Sequence, residues 1–146
     1  KYLHLEPHTL TFHYEATRFP VRLAQKIRHA GISPGISLNP STPVSVLREI
    51  YPHFDQLLLM TVEPGYYGQS FLPTSLQRVE EALELRETLG DRYDHEILIE
   101  VDGGVNAENS AELRSLGVDI VVAGSFVFKA DDPNWQVEVL KGNVST

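Results

Sequence analysis

The segment Ile99–Val105 reads Ile-Glu-Val-Asp-Gly-Gly-Val, an apolar strand-like run that leads into a carboxylate and two glycines. A second apolar run, Ile120–Ala123, is followed in a similar way by Gly124 and Ser125. In parallel α/β proteins the active site lies at the carboxyl ends of the strands, where glycine N–H groups can approach phosphate oxygens and helix N-termini add positive potential. These two segments therefore predict a phosphate-binding rim on a parallel sheet.

Outward from this rim, strand-like and helix-like segments alternate along the chain. The predicted strands are almost wholly apolar, which is typical of strands covered on both faces, and they span residues 9–14, 34–38, 56–62, 97–101 and 119–123. Helical periodicity and helix start and stop signals predict helices over residues 20–30, 43–50, 73–89, 106–116 and 133–140. Gly90 is expected to end the third helix, while Asn106 and Gly117 bound the fourth. This alternation predicts an α/β fold with about five βα units.

The length, net charge and cysteine content of the chain exclude several classes of protein. The chain has 146 residues, a formal net charge of -8 and no cysteine. Its length predicts a single domain, residues 1–146, and the acidic balance argues against a nucleic-acid partner. Disulfides and thiolate metal sites are excluded, and no apolar run is long enough to span a membrane. Because no secretion signal is visible, a cytoplasmic protein is expected.

Asp102 is the residue of the predicted rim that could take the widest range of chemical roles. A lone Asp after a strand is commonly a helix cap or a turn residue, but a positioned carboxylate can also ligate a metal or move a proton next to a carbonyl. A single glycine pair is typical of a tight turn, whereas two pairs after consecutive strands favour phosphate binding. Met60 reads as a core residue, and Tyr66 and Tyr67 as surface or lid residues.

Several motifs carry a resemblance to a known family. Residues 58–71, with the sequence LLMTVEPGYYGQSF, are similar to the lid motif after the sixth strand of ribulose-phosphate 3-epimerases. Residues 11–16, 37–43, 100–105 and 122–128 resemble, in order, the ends of the fourth, fifth, seventh and eighth strands of that family. The resemblance implies a ribulose-phosphate-binding (β/α)₈ (TIM) barrel, of which this sequence holds the carboxyl-terminal part and about five βα units, so that the barrel is incomplete.

The resemblance also implies a reaction, in which C3 of D-ribulose 5-phosphate is inverted to give D-xylulose 5-phosphate. In the family one aspartate removes the C3 proton, a second returns a proton to the opposite face, and a divalent metal (Zn, Fe, Mn or Co) holds the enediolate oxygens. Asp102 would be the second aspartate and also a metal ligand. The phosphate of the ketose would be bound by residues of the lid and of two strand ends, namely Gly68, Gly103, Gly104, Gly124 and Ser125, with Met60 lining the pocket and Gln69 in the lid.

The sequence departs from the family pattern in two ways, and these limit how far the family's residue roles can be assigned to it. Tyr67 stands where the family usually has a glycine. Lys1 and Tyr2 resemble the helix after the third strand, so strands one to three, with the other catalytic acid and three of four metal ligands, are expected to lie outside this sequence. Five strands cannot close an eight-stranded barrel, and their free edges predict a homo-oligomer or part of a larger molecule.

Two other functions stay open at this point. One is a 3-epimerase of a ketohexose 6-phosphate such as allulose 6-phosphate, because the segments that contact the sugar are mostly shared. The other is a non-catalytic half-barrel that binds phosphate or a partner chain. A decarboxylase of the same superfamily is disfavoured because the sequence contains no Asp-x-Lys-x-x-Asp motif.

Overall fold

The computed structural model describes residues 2–66 and 68–144. Within them the strands and helices follow one another in the order β1 (Thr9–His13), α1 (Pro20–His29), β2 (Ser33–Leu38), β3 (Gln56–Met60), α2 (Ser75–Tyr93), β4 (Leu98–Asp102), α3 (Ala107–Leu116), β5 (Ile120–Val122), α4 (Gly124–Phe128) and α5 (Pro133–Lys141). Short 3₁₀ turns lie at Leu3–Leu5, Tyr14–Ala16, Val44–Glu49 and Tyr51–His53.

The five strands form one parallel sheet in the order β1-β2-β3-β4-β5. Strands that are neighbours in sequence are therefore neighbours in space, as repeated βα units require. In the part of the chain that the structure describes, β1 pairs with β2 alone and β5 with β4 alone, so the sheet stays open. The prediction of a parallel α/β fold with about five βα units and an incomplete barrel is confirmed.

The core lies between one face of the sheet and the helices. Along β3 and β4, alternate side chains point to this face, and Leu57, Leu59, Ile99 and Val101 are at most 1% exposed there. The other face is less well covered, since Leu98 is 47% exposed. The expectation that apolar strands are covered on both faces therefore holds for β3, where Met60 on the second face is only 7% exposed, but not for β4.

Helix ends show where local signals decide the structure and where they do not. Asn106 caps α3 as predicted, since its side chain accepts hydrogen bonds from the N–H groups of Glu108 and Asn109, and Gly117 ends the helix with a φ of 98°. The prediction that Gly90 ends α2 is wrong. The helix continues to Tyr93 and Asp94 adopts the left-handed conformation (φ 49°) instead.

Two further segments differ from the predictions. Residues predicted to form a helix over 43–50 form a 3₁₀ turn at Val44–Glu49, and the short helix α4 directly after β5 was not predicted. Both segments are short, and helix formation in such segments depends on tertiary packing more than on propensity. No helix formed by residues 2–66 and 68–144 has the length and apolar character needed to cross a membrane.

Candidate active site

A cavity of about 730 Å³ lies at the carboxyl ends of β3, β4 and β5. The parallel register places Met60 of β3, Asp102 of β4 and Val122 of β5 beside one another on the same face, and all three line the cavity. The structure brings together every site residue predicted from the sequence, since the lining also includes Gly68, Gln69, Gly103, Gly104, Gly124 and Ser125.

Asp102 supplies the carboxylate of this cavity. Its main-chain carbonyl accepts a 2.9 Å hydrogen bond from the Thr61 N–H, which fixes the end of β4 against the loop after β3. Its side chain accepts no hydrogen bond from the residues that the structure describes, and burial raises its pKa above the ordinary value of 3.8. A carboxyl group without a partner and with a raised pKa is suited to take up and release a proton.

Glu100 lies two residues before Asp102 and points to the same face of the sheet. It differs from Asp102 because the side-chain amide of Gln56 donates a hydrogen bond to it. Burial raises the pKa of Glu100 and so does the charge of Asp102, while the Gln56 hydrogen bond acts in the opposite direction. Asp102 is therefore the carboxylate that is available to a ligand.

The Gly103-Gly104 turn requires glycine at both positions. Their φ angles are 125° and 68°, in the region that favours glycine. A Cβ on Gly103 would lie 2.5 Å from Cγ2 of Val62, and one on Gly104 would collide with the main chain of Phe71. The Thr61 hydroxyl also donates a 2.6 Å hydrogen bond to the Gly103 carbonyl. The turn is thus packed tightly against the segment that follows β3.

That segment forms a lid, residues 63–66 and 68–69, over one side of the cavity. The Gln69 side-chain amide donates hydrogen bonds to the carbonyls of Glu63 (2.6 Å) and Tyr66 (2.9 Å), so it holds the lid in a compact turn. Gly68 has a φ of 83° and lines the cavity. The predicted departure at Tyr67 lies outside the described residues.

Gly124 and Ser125 form a further wall of the cavity, at the start of α4. Apart from its chain neighbours and the main chain of α4, no atom of residues 2–66 and 68–144 lies within 4 Å of the position that a Cβ on Gly124 would take, so the main chain there is open to a ligand. Lys129, directly after α4, also lines the cavity and was missed by the sequence analysis. Its spacing of four residues from Ser125 is the available signal, but it is informative only once a helix is known at this place.

Another part of the rim is held by a polar network whose residues after β1 and β2 lie in the motif segments 11–16 and 37–43, while Arg78 was missed by the sequence analysis. Glu15, after β1, accepts hydrogen bonds from the Asn39 N–H (2.9 Å) and the Thr42 hydroxyl. The Arg78 guanidinium, on α2, donates to the carbonyls of Asn39 (2.9 Å), Thr42 (2.9 Å) and Met60 (3.3 Å). The ends of β1, β2 and β3 are therefore tied together by side chains that are far apart in sequence.

Comparison with known proteins identifies the family. The profile of the Ribulose-phosphate 3 epimerase family matches residues 1–128. The chain belongs to this family. Ribulose-phosphate 3-epimerases act on phosphorylated sugars, in agreement with a cavity that joins a carboxylate to glycine-rich turns.

Curated ribulose-phosphate 3-epimerases share about two fifths of their aligned residues with this chain. The enzyme of Mycobacterium leprae is 43% identical over 134 residues, which is 92% of this chain and 58% of the relative. The enzyme of Helicobacter pylori is 41% identical over 137 residues, or 94% of this chain and 61% of the relative. That of Candida glabrata is 40% identical, with 92% and 51% covered. The chain thus spans roughly half to three fifths of the length of these relatives.

Solved structures agree with the fold. A 3-hexulose-6-phosphate synthase matches with a TM-score of 0.66 at 15% identity, covering 94% of this chain and 62% of that protein. A second 3-hexulose-6-phosphate synthase, from Salmonella typhimurium, matches with a TM-score of 0.62 at 16% identity, covering 92% and 60%. At such low identity these likenesses show the fold and not the activity.

Ribulose-phosphate 3-epimerases depend on a metal ion, so the donor groups of this chain are of interest. Across residues 2–66 and 68–144, no group of three or more His, Cys, Asp or Glu side chains is arranged to hold a metal. A divalent metal in a protein usually needs several such ligands. The described residues offer the cavity one available carboxylate, Asp102, and do not form a metal centre by themselves.

Proposed function

We propose that this chain is a single domain that forms the carboxyl-terminal part, strands four to eight, of a D-ribulose 5-phosphate 3-epimerase. The observation that carries the proposal is the shared cavity, in which an unpartnered carboxylate with a raised pKa stands beside main-chain turns suited to phosphate. Membership of the family supplies the substrate class, a phosphorylated ketose.

In this proposal Asp102 acts on C3 of the sugar. A base on one face removes the C3 proton, and the electron pair of the broken C–H bond moves into the adjacent carbonyl to give an enediolate. Asp102, protonated, then returns a proton to C3 from the opposite face, and the new C–H bond has inverted configuration. The raised pKa of Asp102 supports this role because it keeps the proton on the carboxyl group at higher pH. The base that removes the C3 proton on the other face must come from outside the described residues.

The glycine-rich turns have a separate role in the proposal. Main-chain N–H groups of Gly103, Gly104, Gly124 and Ser125 would bind the phosphate, while Met60 would line the sugar pocket and the lid residues Gly68 and Gln69 would cover it. Asp102 would also be one ligand of the divalent metal (Zn, Fe, Mn or Co), with the remaining ligands supplied from outside this chain. A homo-oligomeric state, a cytoplasmic location and the lack of a nucleic-acid partner stay predictions.

The test is deuterium exchange at C3 of D-ribulose 5-phosphate in D₂O with added Zn²⁺ or Mn²⁺. It uses this chain extended at its amino terminus by the first three βα units of the Mycobacterium leprae relative. We expect the extended protein to exchange C3 and to form xylulose 5-phosphate, with a loss on the order of 10³-fold in Asp102→Asn, a typical cost of removing a proton-transfer group. Asp131→Asn, an exposed Asp outside the cavity, is the matched control.

An unchanged rate in Asp102→Asn would overturn the catalytic assignment. A folded extended protein that binds phosphate but exchanges no proton would favour the non-catalytic half-barrel instead. Competition between D-ribulose 5-phosphate and allulose 6-phosphate in the same assay distinguishes the pentose from the hexose substrate.

A further inference from the structure

The cavity holds a charge that neither the family motifs nor the sequence analysis includes. Among the described residues that line the cavity, Lys129 is the single lysine or arginine and Asp102 is the single aspartate or glutamate. A phosphate monoester carries close to two negative charges at neutral pH, and Asp102 repels it when ionised. The chain as a whole has a net charge of -8 and adds to this repulsion. A phosphate site here therefore gains most from a positive charge placed on the side away from Asp102.

Lys129 places a positive charge where the start of α4 and the lid line the cavity. Its main-chain N–H donates a 3.2 Å hydrogen bond to the Ser125 carbonyl, so the two residues are one helical turn apart and lie on the same side of α4. Across the cavity, the Lys129 Nζ lies 3.8 Å from the position that a Cβ on Gly68 would occupy. The ammonium group thus stands between the start of α4 and the lid.

A smaller cavity of about 450 Å³ supports the same location. It lies on the other side of the lid and shares part of its wall with the main cavity, including Gly68, Gly104, Ser125 and Lys129. These are the residues at which the lid, the turn after β4 and the start of α4 approach one another. An anion held by main-chain N–H groups at this junction lies within reach of a flexible lysine side chain, which donates from three N–H bonds.

We propose that Lys129 is a phosphate-binding residue of this chain, whose ammonium group closes the phosphate subsite between α4 and the lid. The inference rests on the proposed function and deepens it, because it assigns the preference for a phosphorylated over an unphosphorylated ketose to one side chain. Lysine binds phosphate as a point charge on a flexible stem, so the Lys129 ammonium group can reach an anion held by the main-chain N–H groups of this junction.

The test measures the affinity of the chain for inorganic phosphate and for D-ribulose 5-phosphate, by calorimetry or ³¹P NMR, at low and at high salt. The variants are Lys129→Gln and Lys129→Arg. The matched control is Lys26→Gln, which removes the same charge from an exposed position on α1 outside the cavity. We expect Lys129→Gln to weaken both ligands about tenfold at low salt and less at high salt, since a charge-assisted hydrogen bond is lost and salt screens it. Lys129→Arg and Lys26→Gln should stay close to the parent chain.

The outcomes separate this inference from the proposed function. Parent-like phosphate affinity in Lys129→Gln overturns the role of Lys129 and leaves the phosphate site intact. Equal losses of phosphate affinity in Lys129→Gln and Lys26→Gln would show that only the net charge of the chain matters, and would also overturn the role of Lys129. If the folded parent chain binds neither ligand, the phosphate site fails together with this inference. Melting temperatures of all variants confirm that each one is folded.

Discussion

The two faces of the sheet differ in what covers them. On the helix-facing side, Ile36, Leu57, Leu59 and Ile99 are at most 1% exposed and pack under the helices of their own βα units. On the cavity-facing side, Leu98 and Val122 are 47% and 37% exposed, and the neighbouring positions carry Glu100 and Asp102. The helices supply the cover of the first face, whereas an eight-stranded barrel covers the second face with strands from its opposite wall.

This difference separates stability from chemistry within one strand. Apolar side chains on the helix-facing side account for most of the burial, and the cavity-facing side chains of the same strands hold carboxylates at some energetic cost. A residue and its immediate neighbour in β3 or β4 can therefore contribute very differently to folding. The following experiments test this comparison, from the largest expected effect to the smallest.

The largest contrast is expected between two adjacent leucines of β3. Leu59 is 1% exposed against the helices, while Leu58 is partly exposed on the other face. We expect Leu59→Ala to lower the free energy of unfolding by about 3 kcal/mol, and Leu58→Ala by about 1 kcal/mol, because only the first leaves a cavity in a packed core. Urea unfolding measures both. Equal losses would show that the cavity-facing side is as fully packed as the helix-facing side.

The second contrast compares two glycines of the cavity. Gly104→Ala should destabilise the chain by about 2 kcal/mol, since its φ is 68° and its Cβ would meet the main chain of Phe71. Gly124→Ala should leave stability within about 0.5 kcal/mol of the parent chain, because the space beside Gly124 is open. Thermal unfolding of the two variants provides the measurement. A stable Gly104→Ala chain would mean that the main chain at Phe71 can move away from the turn.

A smaller difference is expected in how Glu15 and Asp102 affect the pH dependence of stability, since their environments shift their pKa values in opposite directions. Burial alone would raise the pKa of Glu15, but the hydrogen bonds from Thr42 and Asn39 outweigh it and lower the pKa below 4.5. The charged form of Glu15 thus stabilises the fold above that pH, and this contribution is lost as pH falls through the lower folded value. Because solvent screens the exposed Glu15, Glu15→Gln should cost at most about 1 kcal/mol at neutral pH and nothing below the folded pKa. Unfolding measured across the acid range checks this, and a loss that is independent of pH would contradict it.

Asp102 should behave in the opposite way. Burial raises its pKa above 3.8, so the folded chain binds the proton more tightly than the unfolded chain does. The group therefore reduces stability as pH rises from its unfolded value through its folded value. Asp102→Asn should raise the melting temperature at neutral pH by on the order of 2 °C, although it removes the proposed activity. A lower melting temperature would show that the carboxylate has a stabilising partner in solution.

Much of the site was predictable because its signals are local. The apolar runs, the positions of the glycines and the Asn106 cap lie within short segments, and the matching motifs placed Asp102 and seven other residues in what proved to be one cavity. Lys129 and Arg78 were not predicted, and Glu15 was placed only within the motif 11–16 and without its contacts, because a charged residue on a helix or after a strand is commonly a surface residue. The hydrogen-bond partners of Glu15 and Arg78 lie on other βα units.

The amino-acid sequence by itself determined the order of the strands, the parallel sheet and the place of Asp102 at the end of a strand, because hydrophobic periodicity and glycine-rich turns act over a few residues. Only the tertiary structure decided that α2 continues past Gly90, that α4 follows β5, and that Lys129 stands across from the lid. It also decided which face of each strand is covered. These features depend on contacts between segments far apart in the chain, and such contacts exist only once the sheet has formed.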